Sequence, residues 1–339
     1  MDPLSQAVFG VMGAGLKKPK SIDKSSICKR DLLLICLWGA LAGMAPDIDY
    51  FIRSSEDPLL TVQYHRQITH SIIFIPFGAL IVSLFLKVFK VTIKSSYPYT
   101  FLGYATHGLL DSCTNYGTIL FWPFSDKRYS WNLLAVIDPM VTLPLLILLY
   151  FFVKKRQWRY IMLSWIFFFS YLSIQSYKKV RIKSLLEKNH FITNETDRFL
   201  LKPTIFNNFL WRVIIVKDDK IYFHGVHHSF ISESLIYEGD VAKLVLKDEA
   251  RKLFNRVTYG EYDFERFSYF TSGYLHWYDE YTISDSRYSL LPNSSEPLWT
   301  ISYRDKSRNH VEYNVSRKPS KEQRRMLLMM LKGESGSPL

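Results

Sequence analysis

Ala45-Pro46-Asp47-Ile48-Asp49 opens a stretch that runs through His65-Arg66-Gln67-Ile68-Thr69-His70-Ser71 and closes at His107-Gly108-Leu109-Leu110-Asp111. Three histidines and three aspartates sit there, in the polar breaks and helix ends of an otherwise apolar sequence. Imidazole nitrogen with carboxylate oxygen is the ligand set of a catalytic zinc or a related divalent metal. Asp47 and Asp49, directly behind a proline, point to one side if their segment is extended. His65 and His70 would diverge by about 140° on one continuous helix. They converge if His65 lies in a loop and His70 opens a helix capped by Thr69. His107 and Asp111, at i and i+4, share a helix face. Their helix is apolar, and an ionisable residue in such a segment marks a functional site. Arg66 stands between two of the histidines, where a guanidinium holds either a carboxylate ligand or a phosphate oxygen. Asp47, Asp49, His65, His70, His107 and Asp111 together suffice for one saturated ion or two open ones, with a metal-activated water as nucleophile. Asp49 and Arg66 are the residues expected to serve the chemistry as well as the site.

Outward from this stretch the chain of 339 residues changes character once. Apolar runs fall before about residue 177, and the remainder is mixed and polar. The sequence therefore predicts an all-α membrane-embedded helical bundle over residues 1–177 and a soluble α+β domain over residues 178–339. Leu4–Leu16 and Leu32–Ala45 are short apolar helices, the second rich in small residues that suit close packing. Ser71–Phe89, Leu133–Val153 and Tyr160–Tyr177 read as spans, and Tyr99–Ser112 as a helix carrying His107 and Asp111 at its far end. No cleavable signal peptide is expected, because no basic region precedes Leu4.

The net charge of +12 raises the question of a nucleic-acid partner. Its distribution answers it. Segments 17–31, 87–94 and 154–159 hold thirteen basic residues against two acidic ones, nearly the whole excess. All three are short connections between apolar runs, so the charge reports orientation in a membrane and no nucleic acid is expected. Alternating the sides puts the three basic segments on the cytoplasmic face. The ligand segments and the C-terminal domain then fall on the periplasmic or extracellular face. Cys28, Cys36 and Cys113 form neither a disulfide framework nor a Cys-x-x-Cys motif.

In the second half, Leu210–Val216 and Lys220–His227 read as strands around Lys217-Asp218-Asp219. Tyr274–Tyr281, Leu298–Tyr303 and His310–Val315 are strand-like. Val241–Phe254, Glu261–Phe270 and Lys321–Leu331 read as helices. His224, His227 and His228 lack a carboxylate or cysteine companion and are expected at a surface or an interface rather than at a metal. Asp138, before Pro139, either accepts from a ligand histidine or caps its helix.

Met1-Asp2-Pro3-Leu4, Pro46-Asp47-Ile48-Asp49, His65-Arg66-x-x-Thr69-His70-Ser71, His107-x-Leu109-Leu110-Asp111 and Trp122-Pro123-Phe124 together resemble the YdjM-type bacterial inner-membrane metal-dependent hydrolases. The resemblance covers roughly residues 1–150, and Pro203-Thr204 through Asn207, Trp211-Arg212 and Asp285-x-Arg287 resemble a C-terminal extension of some members. It implies a multi-pass protein of the bacterial inner membrane with a metal site distantly like that of zinc-dependent phospholipase C. Zinc as cofactor and hydrolysis of a phosphoester, a lipid among the candidates, follow by analogy alone. One departure stands out: members often carry Thr-His where this chain has Ser5-Gln6. The rival expectation is a membrane protein that binds a divalent metal without catalysis, as carrier or sensor.

Overall fold

Gly10, Gly39 and Gly43 decide how the first helices pack. A Cβ on Gly10 would stand 2.2 Å from the carbonyl oxygen of Gly39, and one on Gly43 2.5 Å from that of Gln6. Only a residue without a side chain permits that approach. In the computed structural model, which describes residues 1–17, 22, 23, 26–229, 234–316 and 318–334, these contacts seat the first helix in the bundle. Lys18, Lys20 and Lys24 of the first basic segment lie outside the described residues.

Helix α1, Pro3–Ala14, starts at Asp2, whose carboxylate accepts the Ser5 N–H at 3.0 Å, with Pro3 opening the first turn. Helix α2, Lys29–Leu33, continues through a π-turn, Leu34–Trp38, into α3, Gly39–Met44, and ends in a 3-10 turn, Ala45–Phe51. The short α4, Leu60–Tyr64, precedes α5, Ile75–Leu86, and α6, Ile93–Ser112. Two long helices follow, α7, Pro139–Lys155, and α8, Arg159–Lys188. Among the described residues two helical stretches, Lys29–Phe51 and Ile72–Phe89, are long and apolar enough to cross a membrane. A core of Phe9, Met12, Trp38, Phe152, Ile161 and Phe168 binds α1, α7 and α8 together.

The chain divides into two units. The helical unit comprises Met1–Phe51, Tyr64–Tyr177 and Ile205–Asn208; the other comprises Ile52–Gln63, Lys178–Thr204 and Phe209–Leu339. The second unit holds two antiparallel four-stranded sheets. The first is β1 (Arg198–Pro203), β2 (Leu210–Lys217), β3 (Lys220–His227) and β4 (Leu235–Lys243), paired in sequence order. The second pairs β5 (Leu275–Asp279), β6 (Thr282–Asp285), β7 (Trp299–Ser302) and β8 (Glu312–Val315), also in order. Helices α9 (Lys247–Phe254), α10 (Gly260–Phe270) and α11 (Lys321–Lys332) complete it. Strand β2 is buried on both faces: Trp211, Val213 and Ile215 enter one core, Ile214 and Val216 the other. That is the period-two alternation of a strand covered on both sides.

Three readings need correction. Val241–Phe254 is not one helix, because residues up to Lys243 pair with β3 and the helix begins at Lys247. The Asp47–Asp49 segment is a 3-10 turn, not extended chain. Thr69 caps no helix: Ile68–His70 is itself a 3-10 turn, and the Thr69 hydroxyl donates to Asp49 at 2.7 Å.

Candidate metal centre

Each of the three sequence motifs arrives on a different element of the helical unit. Asp47 and Asp49 ride the 3-10 turn that ends α3. His65 and Arg66 occupy the turn after α4, and His70 closes the next 3-10 turn. His107 and Asp111 lie one turn apart on α6. All six expected ligands come together in two groups that share Asp47 and His70.

The first group is Asp47, His70, His107 and Asp111. The two imidazole Nε2 atoms face each other at 2.9 Å. Asp47 Oδ1 stands 3.4 Å from the His70 nitrogen and 3.3 Å from that of His107. Asp111 Oδ2 stands 3.5 and 3.7 Å from the same two atoms. Ligands bound to zinc at tetrahedral corners lie about 3.3 Å apart, so these spacings fit one ion at the centre. Asp111 Oδ2 is buried and accepts no hydrogen bond. Two basic nitrogens and a carboxylate oxygen that accepts no hydrogen bond converge out of water, an arrangement that a cation between them would stabilise. The residues fit a divalent metal.

The second group is Asp47, Asp49, His65 and His70. Here Asp49 is the hub. It receives His65 Nδ1 at 2.7 Å, the Arg66 backbone N–H at 3.1 Å and the Thr69 hydroxyl, with His70 Nδ1 at 3.2 Å. A carboxylate on Nδ1 fixes the tautomer and turns Nε2 toward a metal. The Gly43 carbonyl does the same for His107, meeting Nδ1 at 2.5 Å. Burial lowers the pKa of His65 against the pull of Asp49. For His70 burial also opposes the charge, but the Asp47 and Asp49 carboxylates outweigh it and raise the pKa.

Arg66 adopts a left-handed backbone, φ 67°, which costs a residue with a side chain about 1 kcal/mol or more. That turn aims its N–H at Asp49 and sends its side chain to Asp111, Nε lying 3.0 Å from Oδ2. The Nε–H vector misses the oxygen, so the contact is an ion pair without a hydrogen bond. Nη1 donates to Thr114 Oγ1 at 3.2 Å. Of the two roles open to Arg66 in the sequence, the geometry places it on a carboxylate ligand. On the far oxygen, Asp111 Oδ1 receives Gln6 Nε2 at 2.8 Å and the buried α-amino group of Met1.

Gln6, Thr114 and the Gly43 carbonyl were not legible as site neighbours; only the departure at Gln6 hinted at the first. Asp138 caps α7 by accepting the Met140 N–H at 3.2 Å and takes the Tyr171 hydroxyl at 2.9 Å, with no ligand histidine among these partners. His224 and His227 are buried in β3 rather than surface-exposed, His224 lying edge-on to Phe191 at 4.9 Å. A third acid–histidine group, Asp57, Asp263 and His310, belongs to the second unit. Its cation is already built in: Arg266 grips Asp57 at 2.7 and 2.9 Å and also meets Asp263.

The helical unit thus combines two helices long and apolar enough to cross a membrane with a buried histidine–aspartate constellation. The chain belongs to the family described as YdjM inner membrane protein, whose model matches residues 1–182. No curated protein and no solved structure matches the chain.

Proposed function

We propose that the protein is a metal-dependent hydrolase of the bacterial inner membrane that cleaves a phosphoester, with a lipid-like ester as the favoured substrate. One observation carries the reading: two Nε2 atoms 2.9 Å apart, bracketed by oxygens of Asp47 and Asp111 at tetrahedral spacing. Asp47, His70, His107 and Asp111 hold the ion, zinc by ligand type. A zinc ion bound there supplies Lewis acidity for activating water. Asp49 orients His70 and His65, and Arg66 balances the charge of Asp111. The polypeptide crosses the membrane several times, with this centre toward the periplasmic side, as the basic connections suggest.

A metal carrier or sensor would use the same ligands. Access favours the enzyme. His70, His107 and Asp111 side chains are fully buried, but Asp47 is 27% and His65 26% exposed, which leaves one side of the centre open. The test is metal analysis of purified protein followed by hydrolysis assays on bis(p-nitrophenyl) phosphate and on phosphatidylcholine. About one divalent ion per chain is expected. His107→Ala and Asp111→Ala should each lose the ion and with it the metal-dependent turnover. A metal-loaded wild-type protein inert toward every phosphoester tried would hand the site to the carrier or sensor reading.

A further inference from the structure

Gln6 sits on α1 with its side chain wholly buried. Its Nε2 donates to Asp111 Oδ1 at 2.8 Å. Its Oε1 is buried and receives no hydrogen bond. The carboxamide cannot be turned round: its oxygen would then face the Asp111 carboxylate, two acceptors with no proton between them. An amide oxygen left unpaired in the interior costs about 1–3 kcal/mol. Asp111 Oδ2, on the other side of the same carboxylate, accepts no hydrogen bond, is ion-paired with Arg66 Nε at 3.0 Å, and lies among the His70 and His107 nitrogens. Two oxygens without a hydrogen-bond donor, on two hydrogen-bonded side chains, can share one metal cation.

We propose that Gln6 is itself a metal ligand, its Oε1 joining Asp47, His70, His107 and Asp111 on one ion. This rests on the metal centre proposed above and extends it. An amide oxygen is a neutral, hard donor. It raises the coordination number without adding charge, beside a cluster that already carries three carboxylates. The hydrogen bond from Nε2 to Asp111 holds the carboxamide plane in place, so the ligand is oriented before the ion arrives.

Cobalt(II) reports ligand number and type directly through its visible absorption, because geometry sets the spectrum. The full chain, purified in detergent and stripped of metal, is loaded with cobalt(II) as wild type, Gln6→Leu and Gln6→His. Thermal unfolding of the metal-free proteins checks that each variant is folded. Wild type should give the weak band of a site with more than four ligands. Gln6→Leu should bind cobalt at least 10-fold more weakly and change the band intensity several-fold. Gln6→His should recover the affinity and move the band to higher energy, since nitrogen replaces oxygen. If Gln6 only props Asp111, Gln6→Leu weakens binding but all three proteins share one band position, and the proposal falls while the centre stands. If wild type binds no cobalt at all, the metal centre falls, and this inference with it.

Discussion

Asp49 and Asp47 are two residues apart yet do different work. Asp49 is 3% exposed and collects His65, the Arg66 N–H, Thr69 and the near side of His70. Asp47 instead faces the two Nε2 atoms. If Asp49 orients ligands while Asp47 binds the ion, their removal differs in degree. Asp49→Ala should weaken zinc binding by about 10–100-fold, the usual cost of losing an orienting carboxylate. Asp47→Ala should weaken it further. Competition against a chromogenic chelator measures both, and equal losses would make Asp49 a direct ligand. The sequence announced these residues better than it explained them. His107 and Asp111 were legible because helix periodicity alone brings i and i+4 together. Asp47 and Asp49 were legible as types, but the shared face was expected from extended chain, whereas a 3-10 turn separates their targets. Thr69 looked like a cap because caps and carboxylate donors use the same hydroxyl. The Gly43 carbonyl on His107 had no side-chain signal at all.

Arg212 on β2 and His276 on β5 pin one connection, residues 286–295. The buried Arg212 guanidinium donates to the carbonyls of Ser286, Leu291, Pro292 and Ser294. His276 meets the Ser286 hydroxyl through Nδ1 at 2.8 Å and the Ser295 carbonyl through Nε2 at 3.0 Å. A carbonyl can only accept, so Nε2 carries a proton; in the neutral ring Nδ1 then accepts from the Ser286 hydroxyl. Burial, helped by the nearby Arg212 charge, pushes the His276 pKa down from 6.5 to about 4. Between those values the unfolded chain binds a proton that the folded one refuses. Stability is therefore whole above pH 6.5 and falls as the pH drops toward 4. The loss from this group is on the order of 3 kcal/mol at most. Chemical denaturation of the full chain across that range should show the slope, and His276→Gln should flatten it. An equal slope in the variant would move the effect to other groups. At this scale β2 and β3 could be read from their apolar alternation and from Lys217-Asp218-Asp219, whose two aspartates both take positive φ as a tight hairpin requires. Strand β4 could not. Its outer positions are exposed, and Val241 to Lys243 continue without a break signal into sequence that suits a helix.

The proposed orientation of the whole helical unit rests on the three basic connections and the polar centre. In sequence, segments 17–31, 87–94 and 154–159 fall between the apolar runs and apart from the ligand motifs. Helix α6, with 20 residues, is about 30 Å long, the thickness of a bilayer core. It starts beside the basic segment 87–94 and carries His107 and Asp111 in its last two turns. One group of charges ran against this order: Lys178, Lys179, Arg181 and Lys183 follow the last apolar run where few cations belong. These charges have structural roles of their own. Helix α8 continues unbroken to Lys188, so these residues form no loop. Lys178 is buried over the Phe209 ring at 4.7 Å, and Lys183 meets Glu187 at 3.4 Å. The orientation proposed above, with these cations on the same face as the centre, is open to a direct test. With Cys28, Cys36 and Cys113 replaced, a single cysteine at the exposed Ser54 or Lys127 should react with a membrane-impermeant maleimide in intact cells. One at the exposed Lys90 or Lys155 should react only after the inner membrane is permeabilised. Labelling of Lys90→Cys and Lys155→Cys in intact cells, with Ser54→Cys and Lys127→Cys protected, would turn the centre toward the cytoplasm and make its substrate an intracellular one.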